Sequence, residues 1–164
     1  MGFELDAFLG KTSELQKWKQ RLPSAVVCEL SGDLGMVPLT GKLRAELRAS
    51  LGNEEATRLD ATQKHPTYPS PSHIESTRRW AAQASAETCV AYISMGEFGN
   101  QSHERATVWA GGKEKLSAVG LRAALDYFRD RAGLNLGDQV IESALEKYRG
   151  EDAAEKWAAA NAAS

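Results

Sequence analysis

Glu97, Gln101, His103 and Glu104 place two carboxylates, an amide and an imidazole in one short stretch of a 164-residue chain. These residue types can exchange protons, hold a divalent cation through oxygen ligands, or recognise another protein through charge and hydrogen bonds. Glu97 is the most informative of them. It follows Gly96 at the end of an apolar run, where a partly buried carboxylate needs a hydrogen bond from Gln101 or an ion pair with Arg105. Asp33 sits in a second turn, Ser31-Gly32-Asp33-Leu34-Gly35, and joins the group if the two turns lie at the same end of the molecule.

The flanking pattern says what must hold these side chains. Cys89, Ala91, Ile93 and Met95 alternate with Val90, Tyr92, Ser94 and Phe98, so a strand apolar on both faces is expected. Arg105 to Ala110 alternates again, which predicts a hairpin with residues 97–104 as its longer connecting loop, turning at Gly99-Asn100. Gly111-Gly112 then allows a return strand from Lys113 to Leu116.

Other motifs carry less. Gly35 to Leu43 has the strand-to-helix character of a phosphate loop, but the glycines are one residue too far apart. Leu43 also stands where a magnesium-binding hydroxyl is needed. His65, His73 and His103 share no helical i, i+4 spacing and there is no Cys-x-x-Cys, so no metal or cofactor is expected. No nucleophile elbow is present.

Composition narrows the class further. Apolar residues make up 42% and charged residues 26%, with a formal charge of −2 and a pI near 6.0. That fits a globular fold and gives no bulk attraction to nucleic acid or to an anionic membrane. The basic groups Lys17, Lys19 and Arg21, and Lys42, Arg44 and Arg48, are interspersed with acids. Cys28 and Cys89 lie in apolar runs and read as buried free thiols of a reducing compartment. No basic start with an apolar core marks a leader, and no apolar run approaches the roughly 20 residues of a membrane span, so a cytoplasmic protein is expected.

In chain order, residues 3–9 alternate as an opening strand with one wetter face. Ser13-x-x-Gln16 begins a helix that Pro23 ends. Residues 25–30 and 36–40 form a second hairpin, whose Pro38 suggests that its later strand is an edge. Leu43, Leu47 and Leu51 mark a helix, and Asn53 caps a polar one to about Lys64. Residues 65–72 form a proline-rich surface loop. Ser72-x-x-Glu75 opens a helix with Ile74, Thr77, Ala81 and Ala84 inward and Trp80 outward. Ser117 opens the most amphipathic helix, with Leu121, Ala124, Leu125, Phe128 and Ala132 on its stripe. A helix containing Val140 to Tyr148 follows. The Ala-rich tail 151–164, anchored by Trp157, is either a docked helix or a frayed one. The expectation is one α+β domain over residues 1–164, with a single antiparallel sheet of four or five strands and helices packed on it.

Glu97-Phe98-Gly99, Gln101, Ala106-x-Val108-Trp109 and Gly111-Gly112 together resemble a pattern in small bacterial proteins, some of them immunity proteins of polymorphic or contact-dependent toxin systems. The chain departs from that pattern at Asn100 and by the insertion of Ser102 to Arg105. No catalytic residue carries over. The resemblance implies a non-enzymatic protein-binding module that blocks a toxin by occlusion, with Glu97, Gln101, His103, Glu104 and Asp33 as candidate contacts. Two alternatives stand beside it: a small hydrolase or transferase using Glu97, His103 and Glu104, and a homo-oligomeric regulatory protein using the tail helix and Trp157. An enzyme requires a pocket with converging polar groups, an immunity protein an exposed charged patch, and an oligomer an apolar one.

Overall fold

The computed structural model describes residues 2–65 and 69–162. A six-stranded antiparallel sheet runs through the molecule in the order β2-β3-β1-β4-β5-β6. Its strands are β1 (Phe3–Lys11), β2 (Cys28–Ser31), β3 (Leu34–Pro38), β4 (Val90–Phe98), β5 (Gln101–Ala110) and β6 (Lys113–Val119). The helices are α1 (Thr12–Leu15), continued by a 3₁₀ turn (Gln16–Gln20), then α2 (Gly41–Ala49), α3 (Asn53–Asp60) and α4 (Pro71–Ala84). After the sheet is complete come α5 (Leu121–Asp130), α6 (Ile141–Leu145) and α7 (Ala153–Asn161). The α+β class and the single antiparallel sheet are as the sequence predicts, with one strand more than the upper expectation.

Alternation along the central strands builds two cores. Leu5, Leu9, Ala91, Ile93 and Val108 face one way, under Leu121, Leu125 and Phe128 of α5 and Trp157 of α7. Phe8, Val37, Val90 and Trp109 face the other way, under Leu43 and Leu47 of α2, Trp80 of α4 and Trp18. On that second face Trp18 stands edge-on to Phe8, with ring centroids 5.3 Å apart, and to Trp80 at 5.4 Å. Such pairs contribute about 0.5–1.5 kcal/mol each beyond the area they bury.

Several expectations are corrected. Residues 97–104 are not a long loop: β4 and β5 pair from Val90↔Trp109 to Phe98↔Gln101, leaving only Gly99 and Asn100 to turn. Gly99 has φ +58°, as the first central residue of a II′ hairpin turn requires. β3 is an interior strand. Pro38 is tolerated because it is its last residue, opposite Ala7, beyond the part of β3 that β2 pairs. Neither Ser13 nor Ser72 caps its helix: α1 follows Lys11 and α4 follows Ser70, neither with a side-chain cap, and Gly52 rather than Asn53 precedes α3. Trp80 is buried and Ile74 is 48% exposed, so the inward stripe of α4 is Ser72, Ser76, Thr77, Trp80 and Ala81. Ser76 and Thr77 donate to the His73 carbonyl at 3.0 and 2.8 Å, which satisfies their buried hydroxyls. Ser117 belongs to β6, which bulges past Ala118 (φ +49°) to pair Val119 with Ala106 before α5 begins at Leu121. The tail helix is docked, with Trp157 buried against Tyr148 at 5.0 Å. Within the proline-rich stretch, residues 66–68 lie outside the described residues.

Candidate functional site

The strand register arranges the polar side chains in rows. On the face shared with α2 and α4, Glu4 lies opposite Gly96, which lies opposite His103. The next row is Asp6, Ser94 and Arg105, and the next Phe8, Tyr92 and Thr107. The aromatic core covers this face from the Phe8 row toward Val90 and Trp109. Toward Glu4 and Gly96 that cover thins out. His103 and Arg105 are exposed there, with Gln101 and Phe98 beyond them at the hairpin end. One stretch of sheet is thus core at one end and open polar surface at the other.

Asp6 and Arg44 stand where that cover ends. Arg44 reaches from α2 to Asp6, Nη2 to Oδ2 at 2.6 Å, and the two are 4% and 7% exposed. The partly buried Tyr92 lies against this pair. Burial and the Asp6 charge push its hydroxyl up to about 12, so it stays protonated. That hydroxyl hydrogen-bonds toward both partners of the pair, and among the described residues no donor meets Asp6 Oδ1 at full hydrogen-bond geometry. Glu4, one row away, has its carboxyl raised first by burial and then by Asp6, with Glu151 adding to the effect.

His103 contacts Ser94, Nε2 to Oγ at 3.2 Å, and lies across Gly96. A methyl group on Gly96 would stand 2.5 Å from His103 Cε1 and 3.2 Å from the Phe3 carbonyl oxygen. Glycine at this position lets the imidazole cross to Ser94. His73, at the start of α4, meets Ser70 Oγ at 2.8 Å. Its pKa is lowered, by burial first and then by Arg44 and Arg48.

The residues expected from sequence to act together are divided by the sheet. Gln101 and His103 lie on the open face. Alternation puts Glu97 and Glu104 on the opposite one. Glu97 pairs with Arg149 at 2.6 Å, not with Gln101 or Arg105 as expected, and the Arg149 guanidinium lies 4.7 Å over the Phe3 ring. Glu104 accepts from the backbone N–H of Leu121 at 2.8 Å, capping α5 from a neighbouring strand. Glu97, Glu104 and Glu146 line a cleft of about 170 Å³ with His103 at its rim. Each of these carboxylates has a partner, since Glu146 also meets Arg149, at 3.5 Å. Asp33 does not join them. β1 sets Lys11 opposite Leu34 and Phe3 opposite Glu97, so the two hairpin turns lie about 26 Å apart at about 3.3 Å per residue. There Asp33 accepts from the backbone of Asn135 at 3.2 Å.

The sequence reading missed Asp6, Arg44 and Glu4. Glu4 and Asp6 did leave a signal, as acids alternating with the apolar residues of a strand that is buried on both faces at Phe8 and Leu9. Among the described residues no group of His, Cys, Asp or Glu is arranged to hold a metal ion, and no helix is long and apolar enough to cross a membrane. No family model, curated protein or solved structure matches the chain.

Proposed function

We propose that this chain is a non-enzymatic protein-binding module, of the kind that neutralises a cognate bacterial toxin by covering its active cleft. The observation that carries the reading is the open end of the sheet face. Phe98, 45% exposed, stands there among Gln101, His103 and Arg105. An exposed aromatic ringed by polar and charged side chains has the make-up of an interface anchor and its rim. Gln101 and His103 are the expected contacts on this face. Glu97 and Glu104 support it from behind, through Arg149 and the start of α5. The unpaired thiols Cys28 and Cys89 suit the reducing bacterial cytoplasm this role implies.

The test is capture of partners from the source cells by the wild-type chain and by Phe98→Ala/Gln101→Ala. One protein retained by the wild type and lost with the variant supports the reading. Identical retained sets contradict it. A second reading, a hydrolase, has one observation in its favour, the Ser94–His103 contact. Ester hydrolysis abolished by Ser94→Ala would establish it; turnover unchanged by that substitution would remove it.

A further inference from the structure

The open face also ends in a free strand edge. β5 pairs β4 without a register shift from Gln101 to Trp109, but β6 joins it only from Ala106 onward. The tight turn at Gly99-Asn100 makes Phe98 and Gln101 a hydrogen-bonded pair, so Gln101, His103 and Arg105 turn their backbone groups toward β4. Ser102 and Glu104 turn theirs the other way, as Ala106 does toward Val119 of β6. Gln101 to Arg105 are all exposed. Among the described residues nothing meets the backbone N–H or C=O of Ser102 or Glu104 on that side.

The other edges of the sheet are blunted. β6 carries Lys113 and Lys115 and bulges past Ala118, whose φ is +49°. β2 runs only from Cys28 to Ser31, is broken by a register shift between Glu29 and Ser31, and lies against α6 and α7. β1 before Ala7, where β3 no longer pairs it, is closed by the Leu39 N–H on the Asp6 carbonyl and by the Gly150 carbonyl on the Glu4 N–H. Lysines, bulges, short strands and covering segments are the devices that keep an edge from pairing. The start of β5 has none of them. Its His103 and Glu104 side chains lie back on the molecule, at Ser94 Oγ and the Leu121 N–H, instead of standing across the edge. Arg105 makes no ion pair among the described residues, so it is the uncompensated charge that this edge offers.

We propose that the partner protein adds an extended segment to β5 along Gln101 to Arg105, bonded to the backbone of Ser102 and Glu104, with an acidic side chain beside Arg105. Backbone bonds hold such a segment, and the flanking side chains select it. The added strand borders the open face at Gln101 and His103, so edge and face form one interface. The inference rests on the protein-binding reading above.

Ser102→Pro tests it, because that substitution deletes an N–H that points away from β4, and proline is tolerated at such edge positions. The full chain, Ser102→Pro and Ser102→Ala are used to capture protein from an extract of the source cells. Amide hydrogen exchange is then followed on the wild-type chain with and without the captured protein. Ser102→Pro is expected to lose that protein and Ser102→Ala to keep it, while Arg105→Glu weakens its binding by about tenfold or more. In the free chain the Ser102 and Glu104 amides exchange fast, and those of His103 and Arg105 are slowed by β4. In the complex the Ser102 and Glu104 amides slow by about tenfold or more. The exchange measurement needs no variant, so it decides the matter even where Ser102→Pro fails to fold. The inference is overturned by Ser102 and Glu104 amides that stay fast in the complex, by undiminished capture with Ser102→Pro, or by equal loss with Ser102→Ala. Retention by Ser102→Pro of a protein that Phe98→Ala/Gln101→Ala loses overturns it while leaving the protein-binding reading in place. An extract from which the wild type retains nothing removes both.

Discussion

β1, β4 and β5 present the same face to two different surroundings. Around Phe8, Val90 and Trp109 the face is closed by Trp18 and Trp80, with Arg21 stacked 4.9 Å over Trp80. Around Glu4, Ser94 and His103 the same strands carry chargeable groups and leave His103 and Arg105 in water. The difference separates two kinds of polar residue. Those at the boundary, Asp6 and Arg44, are committed to the fold. Those beyond it are held in place by the sheet with little demand on their chemistry, and that is where binding can be built without loss of stability.

The largest expected effect lies on the boundary. Arg44→Ala leaves the Asp6 carboxylate buried and unpaired and should destabilise the protein by about 3–5 kcal/mol in denaturant titration. Asp6→Asn/Arg44→Met should recover much of that loss, because it removes both charges. Arg149→Ala serves as the contrast. It breaks an acid–arginine pair at the same 2.6 Å separation, but one about half exposed and screened by solvent, so its cost should be much smaller than that of Arg44→Ala. Equal costs for the two arginines would dissolve the distinction between boundary and surface.

Gly96→Ala comes next. The added methyl group has the Phe3 carbonyl on one side and the His103 ring on the other, so a loss of about 1–3 kcal/mol is expected, with displacement of the imidazole from Ser94. The His103 ring resonances should shift, and their retention would contradict the close approach. Glu104→Ala removes a helix cap on the far face and should cost about 1 kcal/mol, with hydrogen-exchange protection lost first at the start of α5.

The smallest effects are pH-dependent and opposite in sign. The Asp60 carboxyl is held down at about 2, first by the Ser72 N–H and then by the hydroxyls of Ser72 and Ser70 and by Arg48. Its contribution is therefore complete above the ordinary aspartate range and is lost as pH falls from about 4 to about 2. Glu4 behaves in the reverse sense: its raised carboxyl makes stability fall as pH climbs through the range just above the ordinary glutamate value. Asp60→Asn should flatten the acid limb of a stability–pH curve, and Glu4→Gln should remove the decline above it.

How much of this was legible in the sequence follows from the range of each interaction. β1, β4 and the α5 stripe could be read because one face of each is continuously buried, which leaves a periodic pattern. The start of β5 could not. Gln101 to Arg105 precede the residues that β6 pairs, beginning at Ala106, so this part of β5 is locally an edge strand and wet, with the composition of a loop. The inward face of α4 was misjudged because its small hydroxyl residues are satisfied locally and Ile74 is left outside. The Asp6–Arg44 pair joins residues 38 positions apart and depends on how α2 docks, which no local pattern encodes. Of the candidate residues, Gln101 and His103 do share a face. Glu97, Glu104 and Asp33 fall elsewhere because the alternation of two paired strands, and the length of β1, decide where they point.

The central claim is that the open end of this face serves recognition and its closed end serves stability. The direct measurement is of Phe98→Ala/Gln101→Ala, read by partner capture and by thermal unfolding on the same sample. The account predicts loss of the captured protein with the unfolding midpoint shifted by no more than about 2 °C, as befits exposed positions. A variant that keeps its partner, or one that unfolds well below the wild type, would contradict it.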